Sequence, residues 1–283
     1  MGANPQPTRT EAPAFAPPTS HPLVPGLSIA DPATDDSSWE LQFRAAAIPA
    51  SLLLATLIHH TALGPILLRN FFGMWLHELG HASAAWVCGR WALPVPWFTY
   101  ASEERSVIIT VAMLVGTGAG AWFFFRQQRW VFAVLCTVVT VLTVACSTLL
   151  KPEAVEVFGI FAGDAGAMVF GVLFMASFYA QRGSRLVQGA IRWGLVWWGA
   201  AALVDSWATW VAARRDYAEI PFGLEEVGGQ GVLSDASKLV DTWGWSEKLL
   251  VNRYFTLGVV CLAVTAIIYA WGLWQQWQRR PAK

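Results

Sequence analysis

Residues 71–89 read FFGMWLHELGHASAAWVCG. His77 and His81 are four residues apart, so on an α-helix they lie about 40° apart on one face. Two imidazoles placed that way reach a single metal ion. Glu78 is turned away from that ion but can reach a water beside it, the position of a general base. Nitrogen and carboxylate donors with one position left open suit Zn²⁺. A soluble helix carrying this pattern would show a polar outer face, whereas both flanks here are almost continuously apolar. The stretch therefore predicts a helix inside a membrane bundle, with its metal reached by water through a protein-lined cavity.

The rest of the chain agrees. Of 283 residues, 55% are hydrophobic and only 13% charged, with 17 Trp and 16 Phe and a mean hydropathy of +0.44. Soluble domains carry about 25% charged residues, and Trp is common where helices meet the bilayer interface. Apolar segments long enough to span a bilayer fall at 45–63, 66–88, 106–125, 130–150, 155–180, 190–213 and 254–277. The fold class expected is all-α, a polytopic membrane helix bundle of about seven transmembrane helices. Pro49 interrupts the first segment, and His59-His60 polarise its end. The GTGAG stretch at 116–120 puts small residues on one helix face, a pattern of close helix packing.

Residues 1–40 are Pro-rich and polar and are expected to be a disordered tail, without the basic end and apolar stretch of a cleavable signal. Residues 41–283 form the membrane domain, with 214–253 as an extramembrane loop and 89–105 lying at the interface. Cys88, Cys136, Cys146 and Cys261 have no C-x-x-C spacing and read as small buried hydrophobes. The net charge of zero says nothing about partners, and with no basic cluster to suggest it, nucleic acid is not expected as one. Glu103-Glu104 and Glu225-Glu226 read as solvated loop charges, and His59-His60 as interfacial side chains.

Asp164, in GIFAGDAGAMVFG, and Asp205, in WWGAAALVDSWATW, join Glu78 as acidic residues within apolar segments. Each is costly there and is a functional candidate for that reason. The membrane-embedded run FGMWLHELGHASAAWVCGR resembles the site-2 protease family of intramembrane zinc metallopeptidases, nearest to its compact bacterial branch without a PDZ domain. Ser234-Asp235-Ala236 is similar to an S-D-A element of that branch. The resemblance implies a multi-pass protein of a bacterial cell membrane and a lipid-embedded membrane protein as substrate. It also implies His77 and His81 as zinc ligands, Glu78 as base and a distant aspartate as third ligand. The family's L-D-G element is missing. Because the family's Asp-bearing helix runs parallel to the motif helix, the sixth segment and hence Asp205 is favoured. Asp164, flanked by glycines that permit close approach to a metal, is the alternative, and Asp235 folding back is a further possibility. The activity expected is zinc-dependent endopeptidolysis. The alternative is a zinc-binding membrane scaffold or pseudo-peptidase, against which the intact Glu78 argues.

Overall fold

A computed structural model describes residues 37–179, 190–227 and 230–278. Helix α1 (Ser37–His59) runs unbroken through Pro49. Most of the expected disordered tail lies outside the described residues, though residues 37–40 already belong to α1. A second helical stretch opens with α2 (Gly64–Leu68), passes without a break through a π-turn (Arg69–Gly73), and continues as α3 (Met74–Val87). Its 24 residues (64–87) span about 36 Å at 1.5 Å per residue. Strands β1 (Arg90–Val95) and β2 (Phe98–Arg105) form an antiparallel hairpin. The hairpin leads to α4 (Val107–Arg126), α5 (Trp130–Leu149), α6 (Pro152–Ser177) and α7 (Ile191–Arg215). A second hairpin, β3 (Leu224–Val227) with β4 (Gln230–Leu233), precedes the single turn α8 (Asp235–Ser237) and the long α9 (Glu247–Gln278).

The all-α expectation holds for the bundle, and the two connections add the hairpins. Each of the seven expected apolar segments is helical. Among the described residues, five helices are long and apolar enough to cross a membrane: α1, α4, α5, α6 and α9. That is consistent with a multi-pass membrane protein. The other two differ for visible reasons. The π-turn divides the motif segment, and α7 carries Arg192, Asp205, Arg214 and Arg215 among several Trp.

The core lies where α6 and α7 meet α1 and α9. Met168, Met175, Phe178, Leu203, Trp210, Leu250 and Tyr254 are all buried there. Between helices in lipid the packing force is contact rather than exclusion of water, so small residues set how closely backbones approach. A Cβ on Gly199 would stand 2.4 Å from the Gly171 carbonyl, which fixes glycine at the α6–α7 crossing. Cross-helix hydrogen bonds add to the packing: the Tyr179 and Tyr269 hydroxyls donate to the Arg44 and Ala45 carbonyls of α1.

Helices α4 and α5 form a more separate pair, joined by a Thr117–Thr140 hydroxyl contact of 2.7 Å. The close packing expected from GTGAG is met at Gly120 alone, where a Cβ would lie 3.2 Å from Cys136 Sγ. Gly116 and Gly118 face open space. Val107, Ile108, Val111, Val115, Trp122 and Phe123 of α4 are exposed, an apolar surface suited to lipid.

Candidate metal centre

The motif helix α3 packs against α6, and glycines make the approach possible. A Cβ on Gly80 would fall 2.1 Å from the Ala162 carbonyl, and one on Gly166 2.3 Å from Gly80 Cα. The fourth residue of HELGH is therefore glycine because α6 lies directly on it. Gly163 has the same role for the imidazoles. A Cβ there would be 2.5–2.7 Å from ring atoms of His77 and His81.

Both histidine rings are held through Nδ1. His77 Nδ1 lies 3.0 Å from Asp164 Oδ1, and His81 Nδ1 lies 2.8 Å from the Gly159 carbonyl oxygen. A carbonyl only accepts, so Nδ1 of His81 carries the proton and Nε2 has the lone pair. The Asp164 carboxylate selects the same tautomer in His77. Such carboxylate or carbonyl partners behind a histidine are the usual support of a metal ligand. The two Nε2 atoms face each other 3.0 Å apart.

Asp235 completes the group. Its Oδ2 is 3.2 Å from His77 Nε2 and 3.0 Å from His81 Nε2. His77, His81 and Asp235 form a set of donors able to hold one metal ion. Asp235 Oδ2 is buried and, despite these short distances, makes no hydrogen bond among the described residues. Three donor atoms converging without a shared hydrogen is the arrangement a cation relieves. Tetrahedral ligands at 2.0–2.1 Å from zinc stand about 3.3 Å apart, so the spacing fits an ion of that size.

Local sequence explains why Asp235 arrives there. Ser234 caps α8, its Oγ accepting from the Ser237 N–H at 3.3 Å and donating to the Pro221 carbonyl at 2.9 Å. The Gly223 N–H donates to Ser237 Oγ. Ala236 and Leu239 are buried in the core. The turn is anchored on both sides of the aspartate, which is left pointing at the imidazoles.

The two aspartates singled out in the apolar segments have other partners. Asp205, the favoured third ligand, is buried against the π-turn. Its Oδ2 is 3.9 Å from Arg69 Nη1 and its Oδ1 is 3.7 Å from His59 Nδ1. Helix α7 turns Asp205 toward α2 and the π-turn, and it is not in the metal-binding set. Gly73 makes room, since a Cβ there would lie 3.2 Å from Asp205 Oδ2. Asp164 sits behind the metal-binding set. Besides His77 it accepts from Trp210 Nε1 at 2.9 Å and stands 3.6 Å from Arg69 Nη1. Trp210 is itself clamped by stacking on Tyr254, with centroids 4.1 Å apart. Of the polar end expected at His59-His60, His59 thus turns toward Asp205 without a hydrogen bond from Nδ1 among the described residues.

Glu78 is 4% exposed. Thr99 of β2 reaches it, with Oγ1 2.8 Å from Oε2 and 2.9 Å from the main-chain oxygen of the same glutamate. His77, Glu78, His81 and Asp235 line a pocket of about 350 Å³ whose other walls come from the β1–β2 hairpin, the start of α6 and β4. Trp97, at the hairpin tip, has φ +72° and is exposed at the pocket. A non-glycine residue in that conformation costs on the order of 1–3 kcal/mol, and here it closes the two-residue turn Pro96-Trp97 between the strands. Asp235 was visible in the sequence only through its S-D-A setting, and Thr99 carried no sequence signal. The chain matches no protein-family model, no curated protein and no solved structure.

Proposed function

We propose that this protein is an intramembrane zinc metalloendopeptidase that hydrolyses peptide bonds of membrane-protein substrates within or next to the bilayer. The observation that carries the reading is the convergence of His77 Nε2, His81 Nε2 and Asp235 Oδ2 within 3.0–3.2 Å of one another beside Glu78. His77, His81 and Asp235 would hold the ion, with Asp164 and the Gly159 carbonyl orienting the two rings. We read all seven long helical segments, the π-interrupted α2–α3 and α7 included, as crossing the membrane.

Bound there, zinc supplies Lewis-acid polarisation of the scissile carbonyl and a lowered pKa for the attacking water. Glu78 takes the proton from that water and delivers it to the departing amine. The pocket walls include Trp97, Tyr100, Ile160 and Val232, surfaces suited to apolar side chains of an extended segment, beside the charged Arg90, Glu156 and Lys238. A helical substrate has its carbonyls occupied, so it must unwind locally before one can be attacked.

The test uses full-length protein in detergent. It measures zinc per chain and cleavage of model transmembrane peptides, for wild type and Glu78→Gln. The expected result is close to one zinc per chain in both, with cleavage in the mutant reduced by at least about a thousandfold. Equal cleavage by the two proteins would sink the mechanism, and zinc bound without cleavage by wild type would replace it with a metal-binding scaffold.

A further inference from the structure

We propose that Thr99 positions the general base Glu78, and that the β1–β2 hairpin is pinned beside the metal centre so that it can do so. The inference rests on the metallopeptidase reading and adds a residue to it.

Glu78 has a long flexible side chain, and on its own helix it is flanked by imidazoles and apolar residues. The hydroxyl that reaches its carboxylate comes from another element. Thr99 Oγ1 stands in the fork between Oε2 and the main-chain oxygen of Glu78, 2.8 and 2.9 Å away. The hydroxyl has one proton, shared between these two acceptors, so a single three-centre hydrogen bond links the end of the side chain to its root. Threonine suits the task because branching at Cβ restricts its χ1. With Oε2 held by the hydroxyl, Oε1 is left to receive the proton from the attacking water. The same proton then leaves with the amine as the C–N bond breaks.

The hairpin has the rigidity such a role requires. Trp86, near the end of α3, donates from Nε1 to the Ala92 carbonyl at 3.0 Å. Ser106 N–H donates to the Gly89 carbonyl at 2.7 Å, closing the base of the hairpin. Arg105 donates to the carbonyls of Cys146, Ser147 and Leu150, which end α5. Thr99 itself pairs across the hairpin with Pro94, two residues from the exposed, strained Trp97. A substrate segment that touches Trp97 therefore contacts the element that holds the base. A hydroxyl that merely stapled the hairpin to α3 would need only the main-chain contact. The bond to Oε2 is the one that bears on chemistry.

The test compares Thr99→Val, which keeps shape and branching, with Thr99→Ser, which keeps the hydroxyl. With a model transmembrane peptide, Thr99→Val is expected to lower kcat by roughly tenfold to a hundredfold, as for a misplaced catalytic group. KM should stay within about twofold and zinc content should be unchanged. Thr99→Ser should recover most of the loss. Wild-type kcat in Thr99→Val, or equal losses in both variants with altered zinc content, overturns the proposal. A second measurement does not need turnover: the affinity of the zinc-loaded protein for a peptide hydroxamate, in a double-mutant cycle with Glu78→Gln. Thr99→Val should weaken binding by about fivefold or more when Glu78 is present and by under about twofold when it is absent. Equal effects in both backgrounds refute the positioning role. If wild type bound the hydroxamate and showed this coupling yet cleaved nothing, the peptidase reading would fail and the positioning of Glu78 would stand.

Discussion

Replacing Gly163 by alanine adds one methyl group to α6 at the point where it faces His77 and His81, the proposed metal ligands. The added Cβ would lie 2.5 Å from His77 Cε1, 2.6 Å from its Nε2 and 2.7 Å from His81 Cε1, whereas ordinary contact begins near 3.4 Å. The rings must therefore retreat by roughly 0.7–0.9 Å, or α6 must move by as much. Helix α6 cannot move freely, because Gly166 and Ala162 already touch Gly80 on the motif helix. Ligand constellations tolerate about 0.5 Å of displacement. The rings would also lose their alignment with Asp164 and the Gly159 carbonyl, and losing such support costs about 10–100-fold in metal affinity. Stability should fall by no more than about 2 kcal/mol: overpacking costs about 1–3 kcal/mol, and exchanging glycine for alanine within a helix returns about 1 kcal/mol.

Gly159 is the control. It lies one turn earlier on α6, its carbonyl accepts from His81, and nothing stands within 4 Å of where its Cβ would be. Gly159→Ala should keep the metal and gain a few tenths to about 1 kcal/mol. Competition with a zinc chelator gives the affinities, and thermal unfolding in detergent gives the stabilities. The expected pattern is a loss of zinc affinity of at least about tenfold in Gly163→Ala with a melting temperature only modestly lowered, and wild-type affinity in Gly159→Ala. Full affinity in Gly163→Ala, or an equal defect in both, would refute the placement of the imidazoles against α6.

Asp235→Asn should lose zinc by more than about a hundredfold, whereas Asp205→Asn should retain it. Elemental analysis of the two purified variants decides which aspartate is the ligand. Asp205→Asn should instead lower stability by about 1–3 kcal/mol in thermal unfolding. Removing one member of a buried ion pair costs more than that, and the figure is reduced here because the Arg69 side chain is one-third exposed. Trp210→Phe keeps the stacked ring but removes the donor to Asp164 Oδ2, and should weaken zinc binding about tenfold in the same chelator competition. Stripping zinc from wild type should lower the melting temperature. Restoring the ion to about a hundred times its Kd should return about 2.7 kcal/mol of stability.

Much of this was legible in the sequence. Spacing alone put His77 and His81 on one helical face, and unbroken apolar flanks located that face inside a bundle. In the sequence, the glycines beside Asp164 point to close approach to a metal. They do permit a close approach, but to the His77 and His81 rings, with Asp164 in contact with His77 Nδ1. Other features had no local signature. A π-turn at Arg69–Gly73 adds no motif to the chain, yet it turns Arg69 toward both Asp164 and Asp205. The strand character of 90–105 was hidden by Pro94 and Pro96, which break regular structure in most settings. Here Pro96 and Trp97 are the two residues between the strands.

The proposed third ligand, Asp235, shows why an expensive buried charge can point to a site without identifying its roles. An aspartate within an apolar helix must earn its desolvation cost, and Asp164 and Asp205 both do so through the same cation, Arg69, at 3.6 and 3.9 Å. That arrangement stabilises a carboxylate behind His77, where it orients a ring and needs no route to water. A metal ligand at a reactive centre faces the opposite demand, because it must border the pocket that admits substrate. Asp235 meets that demand from a turn outside the apolar segments, on the pocket wall, with its neighbours Ala236 and Leu239 anchored in the core. Intramembrane cost therefore selects the supports of such a centre more readily than its full ligand set. The residue that closes the centre is found by asking which polar turn the bundle can fold back over the open face of the motif helix.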